Sequence, residues 1–448
     1  MTKAEAAEPD APTLALRIAL HMGVVTATEH DIYGQGVNVA ARVPRPPDVS
    51  PLPSLAVLPL RNLGGDPQDD YFADGVVDDI VVSLGNLREL MVVSRSSTLA
   101  WRGQEGDLRA VSRALGVRYL VTGSVRRAAC ELRVQVELVD AQSGTRLWGD
   151  RAEATGGELF ALQDRIVERI VAGVVPHVRA AELRRAMRKR PESFTAYDLT
   201  LRGIALIHDL SPDRFAEAGG LLERAMAHDP GFAPPAAWAA RWHSVNVGQG
   251  WSRDPRADME QAAALSARAI ELDRQNAVAL ATHAHLRSFL FHDDDTALVF
   301  FERALSAWPN SALAWLLSSA TLSYVGRTEE AIRQAEHGLR LSPFDRSLFS
   351  YCNLLGLAHY AHGDMEQAIR WYRLSFAEMP SFTATLRVFA AALAASDRAE
   401  EAREIAARLL AIEPGVTLSE YQRTRQPFRD ERIRARLIRD LRAAGLPA

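Results

Sequence analysis

The chain has 448 residues, is 48% hydrophobic and 24% charged, and carries a net charge of −4 with a pI near 6.3. That is ordinary globular composition, long enough for about three domains, and it excludes a collagen-like, broadly disordered or polycationic chain. The balance of charge also argues against nucleic acid as the main partner, so no DNA partner is expected. Two cysteines, Cys130 and Cys352, stand far apart, which excludes a disulfide framework or a C-x-x-C zinc site. Lys3 and Lys189 are the only lysines against fifty arginines, and neither follows a Gly-rich loop, so P-loop and Schiff-base chemistry are excluded.

Residues 1–43 contain RIALHMG (17–23) and DIYGQGVNVAAR (31–42), and 44–53 follow with five prolines, a stiff linker. Residues 54–190 mix strand and helix signals. SLAVLPL (54–60) reads as a buried strand. Over 73–87, Val76, Val77, Ile80, Val81 and Leu84 make an amphipathic helical stripe. LMVVS (90–94) is a second strand, and LRAVSRALG a short helix stopped by Gly116. Val134, Val136 and Leu138 alternate with Gln135 and Glu137, the pattern of half-exposed antiparallel strands joined by tight turns. A long helix follows from about Glu158 and ends in the basic run RRAMRKR.

From residue 191 strand signals nearly vanish and the chain repeats. LLERAMAHDP, ALSARAIELDR, FFERALSAWP, QAEHGLRLSP, WYRLSFAEMP and IAARLLAIEP end at 230, 274, 309, 343, 380 and 414, intervals of 44, 35, 34, 37 and 34 residues. A 34-residue period of paired helices is the tetratricopeptide signature, and six repeats are expected over about 196–416. Ala225, Ala269, Ala304 and Gly338 hold the small position where the paired helices cross, and Trp315 and Ala331 fit the large and small positions of the repeat. The 44-residue interval implies an insertion of about ten residues, placed at GQGWSRDPRA (248–257). The end of the chain, 417–448, carries Ile433, Leu437, Ile438 and Leu441 on one face and reads as a capping helix.

Two stretches resemble known families. The segments RIALHMG and DIYGQGVNVAAR are similar to the C-terminal part of class III adenylate/guanylate cyclase catalytic domains, R-I-G-I-H-x-G followed by D-x-x-G-x-x-V-N-x-A-x-R. The resemblance implies that Asp31 reads the purine, Asn38 orients the ribose and Arg42 stabilises charge on the transferring phosphate. That family holds two Mg²⁺ ions on aspartates of an earlier F-x-D-I-x-x-F-T segment, and no such segment precedes Asp31 here. A remnant without catalysis is therefore expected, with no cofactor, Mg²⁺ entering only as part of a complete cyclase. The stretches YFADGVVDDIVVSL, GVRYLVTGSVRR and LVDAQSGTRLWGDR resemble the TolB-like amino-terminal domain, a binding or scaffolding α/β module.

The expected fold is thus an α/β module, mixed sheet with helices, followed by an all-α tetratricopeptide solenoid. Other clusters read as structural. Asp74, Asp78 and Asp79 form an acidic helix face, and His283 and His285 fall on different faces of one helix, so no metal site is expected. The concave groove of the solenoid is the expected working surface, with Arg241, His285, Tyr324 and Arg387 facing inward beside Leu316, Phe289 and Leu354, there to bind an extended or helical segment of a partner protein. The expected function is a non-catalytic, cytoplasmic signalling scaffold, with no membrane span and its homo- or hetero-oligomeric state left open. The alternative is a nucleotide cyclase, active in a longer gene product or with a complementing subunit.

Overall fold

The computed structural model describes residues 26–27, 32–33 and 52–448 apart from 66, 88, 104–106, 129–130, 156–158, 190–192 and 343–346. At the amino-terminal end β1 (Thr26–Ala27) pairs antiparallel with β2 (Ile32–Tyr33). Asp31, Asn38 and Arg42 lie outside the described residues.

A six-stranded mixed sheet follows. Strand β3 (Ser54–Val57) runs parallel to β5 (Met91–Val92) on one side and to β6 (Tyr119–Ala128) on the other, and β4 (Arg61–Asn62) continues along β6. Strands β6, β7 (Glu131–Asp140) and β8 (Thr145–Thr155) form an antiparallel meander, with a register shift at Leu138/Val139. The alternation read at 134–138 is that of β7, whose Val134, Val136 and Leu138 are buried.

Side chains alternate across β3, and each face has its own helices. Leu55 and Val57 pack under α1 (Pro67–Gly85) and α4 (Leu159–Arg188), while Ala56 and Leu58 pack with Val111 and Val117 around α3 (Leu108–Leu115). The short α2 (Arg95–Thr98) lies beside α1, where Arg95 and Arg102 pair with Asp74 and Arg95 also reaches Asp78. Asp79 accepts from Gln163 Nε2 at 2.6 Å, so the acidic face is occupied by partners of the same chain. Among the described residues no group of three or more His, Cys, Asp or Glu is placed to hold a metal.

Helix α4 is 30 residues long and couples the two halves. Its apolar positions Ile166, Val167, Ile170, Val171, Val174, Val175 and Val178 cover more than one face, and the same cluster includes Ala277 and Trp308 from the helical region. Gly173 lets it approach the sheet: a Cβ there would lie 2.1 Å from Trp148. Tyr119 donates to the buried Glu182 at 2.6 Å, tying α4 to β6, and burial and the Glu182 carboxylate both push the Tyr119 phenol up.

Beyond α4 the chain is helical. Six pairs follow: α5 (Ala196–Ile207) with α6 (Pro212–His228), α7 (Ala233–Gly248) with α8 (Pro255–Leu272), α9 (Ala277–Phe289) with α10 (Asp294–Ala307), α11 (Ala312–Tyr324) with α12 (Thr328–Leu341), α13 (Leu348–His362) with α14 (Met365–Glu378), and α15 (Thr383–Ala394) with α16 (Ala399–Ile412). Side-chain caps set many of the starts: a Thr195/Asp198 capping box for α5, Asn276 for α9, Asp293 for α10, Ser311 for α11 and Asp364 for α14. The first helices of the pairs stack side by side from α5 to α15 and form a continuous inner wall. Ala225, Ala269 and Ala304 are fully buried, and a Cβ on Gly338 would lie 3.1 Å from the Ala312 carbonyl oxygen, so the small positions are where pairs close up.

One detail differs from the sequence expectation. No ten-residue loop accounts for the long interval. Helix α7 has 16 residues and α8 has 18, against 13 and 14 in the next pair, and the connecting turn is slightly longer. The extra length extends regular helix because Pro255 sits at a helix first turn, where proline is tolerated, capped by Asp254.

Candidate functional site

The inner wall bends tightly enough that its second helix, α7, meets its last, α15. After α7, Gln249 Oε1 accepts from Thr383 N at 3.0 Å and from Thr383 Oγ1 at 2.8 Å, and Gly248 O accepts from Arg387 Nη2 at 2.7 Å. Arg387 also donates to Glu413 at 2.8 Å, and Arg425 meets the other oxygen of Glu413 at 2.7 Å. All three side chains are at most 8% exposed. Gly250, with φ +74°, brings the turn onto this network: a Cβ would lie 2.8 Å from the Glu413 carboxylate.

The carboxyl-terminal segment closes the wall further. It contains α17 (Leu418–Thr424), which the sequence reading had folded into the cap, and α18 (Glu431–Ala443). Ile433, Leu437, Ile438 and Leu441 are buried, and the segment reaches back across the array. Arg429 N donates to Tyr324 O at 2.8 Å, Phe428 stands edge-on to Tyr324, and Tyr360 donates to Asp440 at 2.7 Å.

Among the described residues, cavities open on the concave side, of which two bear on the site. The inner one, about 140 Å³, is lined by Arg241, His285, Phe289, Tyr324, Leu354 and Arg387, so six of the seven residues nominated from the repeat register converge on one space. His285 stacks on Phe289 with ring centroids 5.4 Å apart. Burial, reinforced by the Arg241 charge, holds its imidazole down to about 3, so it is neutral at pH 7. Leu316 lines the second cavity instead, with Arg241 bordering both. Leu316, Tyr324, Leu354 and Arg387 are buried, which departs from the expectation that they face a partner. Helices α17 and α18 and the Gln249–Thr383 contact cover this part of the groove, and Arg387 is engaged by Glu413 and Gly248 of its own chain.

The second cavity, about 260 Å³, lies between α4 and the inner wall. Val175, Pro176 and Leu183 of α4 face Ile204, Trp238, Leu313 and Tyr351 across it, with Arg241, Glu89 and Arg179 also on its lining. Ile204, Trp238 and Leu313 are half-buried, and Trp238 stands edge-on to His208 at 5.8 Å. This recess was not foreseen from the repeats. The available signal was the apolar stripe of α4, too broad for a helix covered on one side only. Among the described residues no helix is long and apolar enough to cross a membrane.

No family model matches the chain. It is 29% identical over 326 residues to a Rhizobium meliloti (strain 1021) protein named "Putative adenylate cyclase 3". The match covers 59% of this chain, which spans 56% of that relative. Among solved structures, human IFIT1 with m7Gppp-AAAA overlaps with a TM-score of 0.42 at 13% identity, covering 63% of this chain and 67% of that one. The APC/C hetero-tetramer Cut9–Hcn1 overlaps at 0.39 and 13% identity, over 64% and 49% of the respective chains. YrrB, described as a TPR protein with an unusual peptide-binding site, overlaps at 0.28 and 17% identity, over 45% and 97%. Scores this low mark partial likenesses only.

Proposed function

We propose that this chain is a non-catalytic interaction unit of a cyclase-type signalling protein, a TolB-like α/β module over 54–190 joined to tetratricopeptide-type repeats over 191–416 and a cap over 417–448. Residues 1–43 and the linker 44–53 belong, in this reading, to the remnant of a cyclase domain bearing Asp31, Asn38 and Arg42. The observation that carries it is the recess between α4 and the inner wall, half-exposed and apolar at Ile204, Trp238 and Leu313 with Arg241 beside them. Its volume of about 260 Å³ suits one or two anchoring side chains of a partner's helix or extended segment, the kind of contact that dominates peptide affinity.

Peptide display against the purified protein tests this. Selected peptides should bind the wild type and lose roughly tenfold or more in affinity against Trp238→Ala combined with Leu313→Asp, since truncated anchors typically cost 2 kcal/mol or more. Undiminished binding to that variant contradicts the reading.

A second reading, a nucleotide cyclase, is favoured by the name of the Rhizobium relative. Cyclic nucleotide formation from ATP or GTP by this polypeptide with Mg²⁺ or Mn²⁺ would establish it in place of the first.

A further inference from the structure

Beside the inner cavity two buried guanidiniums share one carboxylate. Arg387 and Arg425 line the cavity, and among the described residues no carboxylate does. Glu413 stands behind, a single carboxylate shared by the buried Arg387 and Arg425. Two guanidiniums on one carboxylate leave positive charge out of water, which is costly unless another anion or hydrogen bonds compensate it. Burial pulls the Arg387 guanidinium down from its ordinary range, Arg425 adds to the shift, and Glu413 opposes it. Arg425 Nη1 and His285 Nδ1 are buried with no hydrogen-bond partner among the described residues. The cavity thus offers a cationic donor and a neutral imidazole beside an aromatic face, that of Phe289. At about 140 Å³ it compares with the roughly 150 Å³ apolar cavity known to accept a benzene ring.

We infer that this cavity is a binding site for a small organic anion, a carboxylate or phosphate monoester on an apolar body about one ring in size. The anionic group pairs with Arg425 through its unpartnered Nη1, and the ring lies against Phe289 and His285. Such a ligand would bridge α9 and the segment after α17, beside the contact of the turn after α7 with α15 where the array closes on itself, so occupancy stabilises the closed superhelix. The site is separate from the recess beside α4, and either proposal stands if the other fails.

Saturation-transfer NMR on the full chain tests the site with benzoate, phenyl phosphate and the neutral isostere benzamide. One of the anions should bind, with benzamide at least roughly tenfold weaker, because a hydrogen bond to a charged group is being withheld. Arg425→Gln should weaken the anion by a similar factor. As that change also removes an ion-pair partner, Phe289→Trp serves as the second variant: it enlarges a wall of the cavity while keeping Arg387, Arg425 and Glu413, and should exclude the ligand while circular dichroism stays unchanged. Benzamide binding as well as the anions, no binding of either anion at millimolar concentration, or unchanged binding to Phe289→Trp would each overturn the inference.

Discussion

Glu413 is the residue on which closure of the array turns, because two buried guanidiniums share it. Glu413→Gln keeps the volume and removes the charge, leaving Arg387 and Arg425 to repel each other in a dry site. The expected loss is about 3–5 kcal/mol, read from urea unfolding; a loss within error of zero contradicts the pairing. His285 gives a second, pH-dependent test. Its folded pKa of about 3 lies below the ordinary value of 6.5, so the unfolded chain takes up a proton that the folded chain refuses. Its contribution to stability is therefore complete above about pH 6.5 and falls as the pH drops from there toward 3. Between pH 7 and pH 5 this amounts to a loss on the order of 2 kcal/mol. His285→Phe should flatten that part of the profile, leaving a residual slope from His283, His337 and His359, which burial also holds down. An identical profile in wild type and variant would show that His285 is not buried as described. The repeat register was enough to place His285 and Arg387 on the concave side, since both follow from helix periodicity. It gave no means of seeing that Arg387 would find Glu413, or that Gln249 would find Thr383 across 134 residues, because closure depends on the summed bend of six pairs.

Among the elements, α4 shows most plainly what periodicity conveys and what it leaves out. Its start near Glu158 and its basic end were readable from local pattern, as were the strands over 54–57 and 119–155. Its second role, as one wall of a recess against the array, needs tertiary structure, although the width of its apolar stripe was a clue. Gly173 marks the side that meets the sheet, where Trp148 occupies the space of a side chain. Gly173→Ala should destabilise by about 1–3 kcal/mol through overpacking, despite the better helix propensity of alanine. A stabilised variant in thermal unfolding would mean that α4 does not approach β8 as described. On the opposite side Trp308 is buried in the same cluster as the α4 valines. Trp308→Ala should cost about 3–5 kcal/mol, and hydrogen exchange should quicken in α4 as well as in α10, which Trp308 caps. Faster exchange confined to the helices of the array would contradict the coupling of α4 to it.

At the scale of the whole molecule, the α/β module is not a bead beside a helical string. Helix α4 belongs to both cores, Lys189 joins its end to Asp198 at 2.6 Å, and the carboxyl-terminal helices return over Tyr324 and Tyr360. The concave surface is therefore covered by its own chain at Tyr324, Leu354 and Arg387, while the recess beside α4 keeps Ile204, Trp238 and Leu313 half-exposed. Photo-crosslinking of a display-selected peptide tests this most directly, with a benzophenone amino acid placed either at Leu313, inside the recess, or at Val299, exposed on α10. The account predicts peptide adducts from position 313 and none above background from 299. Adducts from 299 alone, or equal labelling at both, would contradict it.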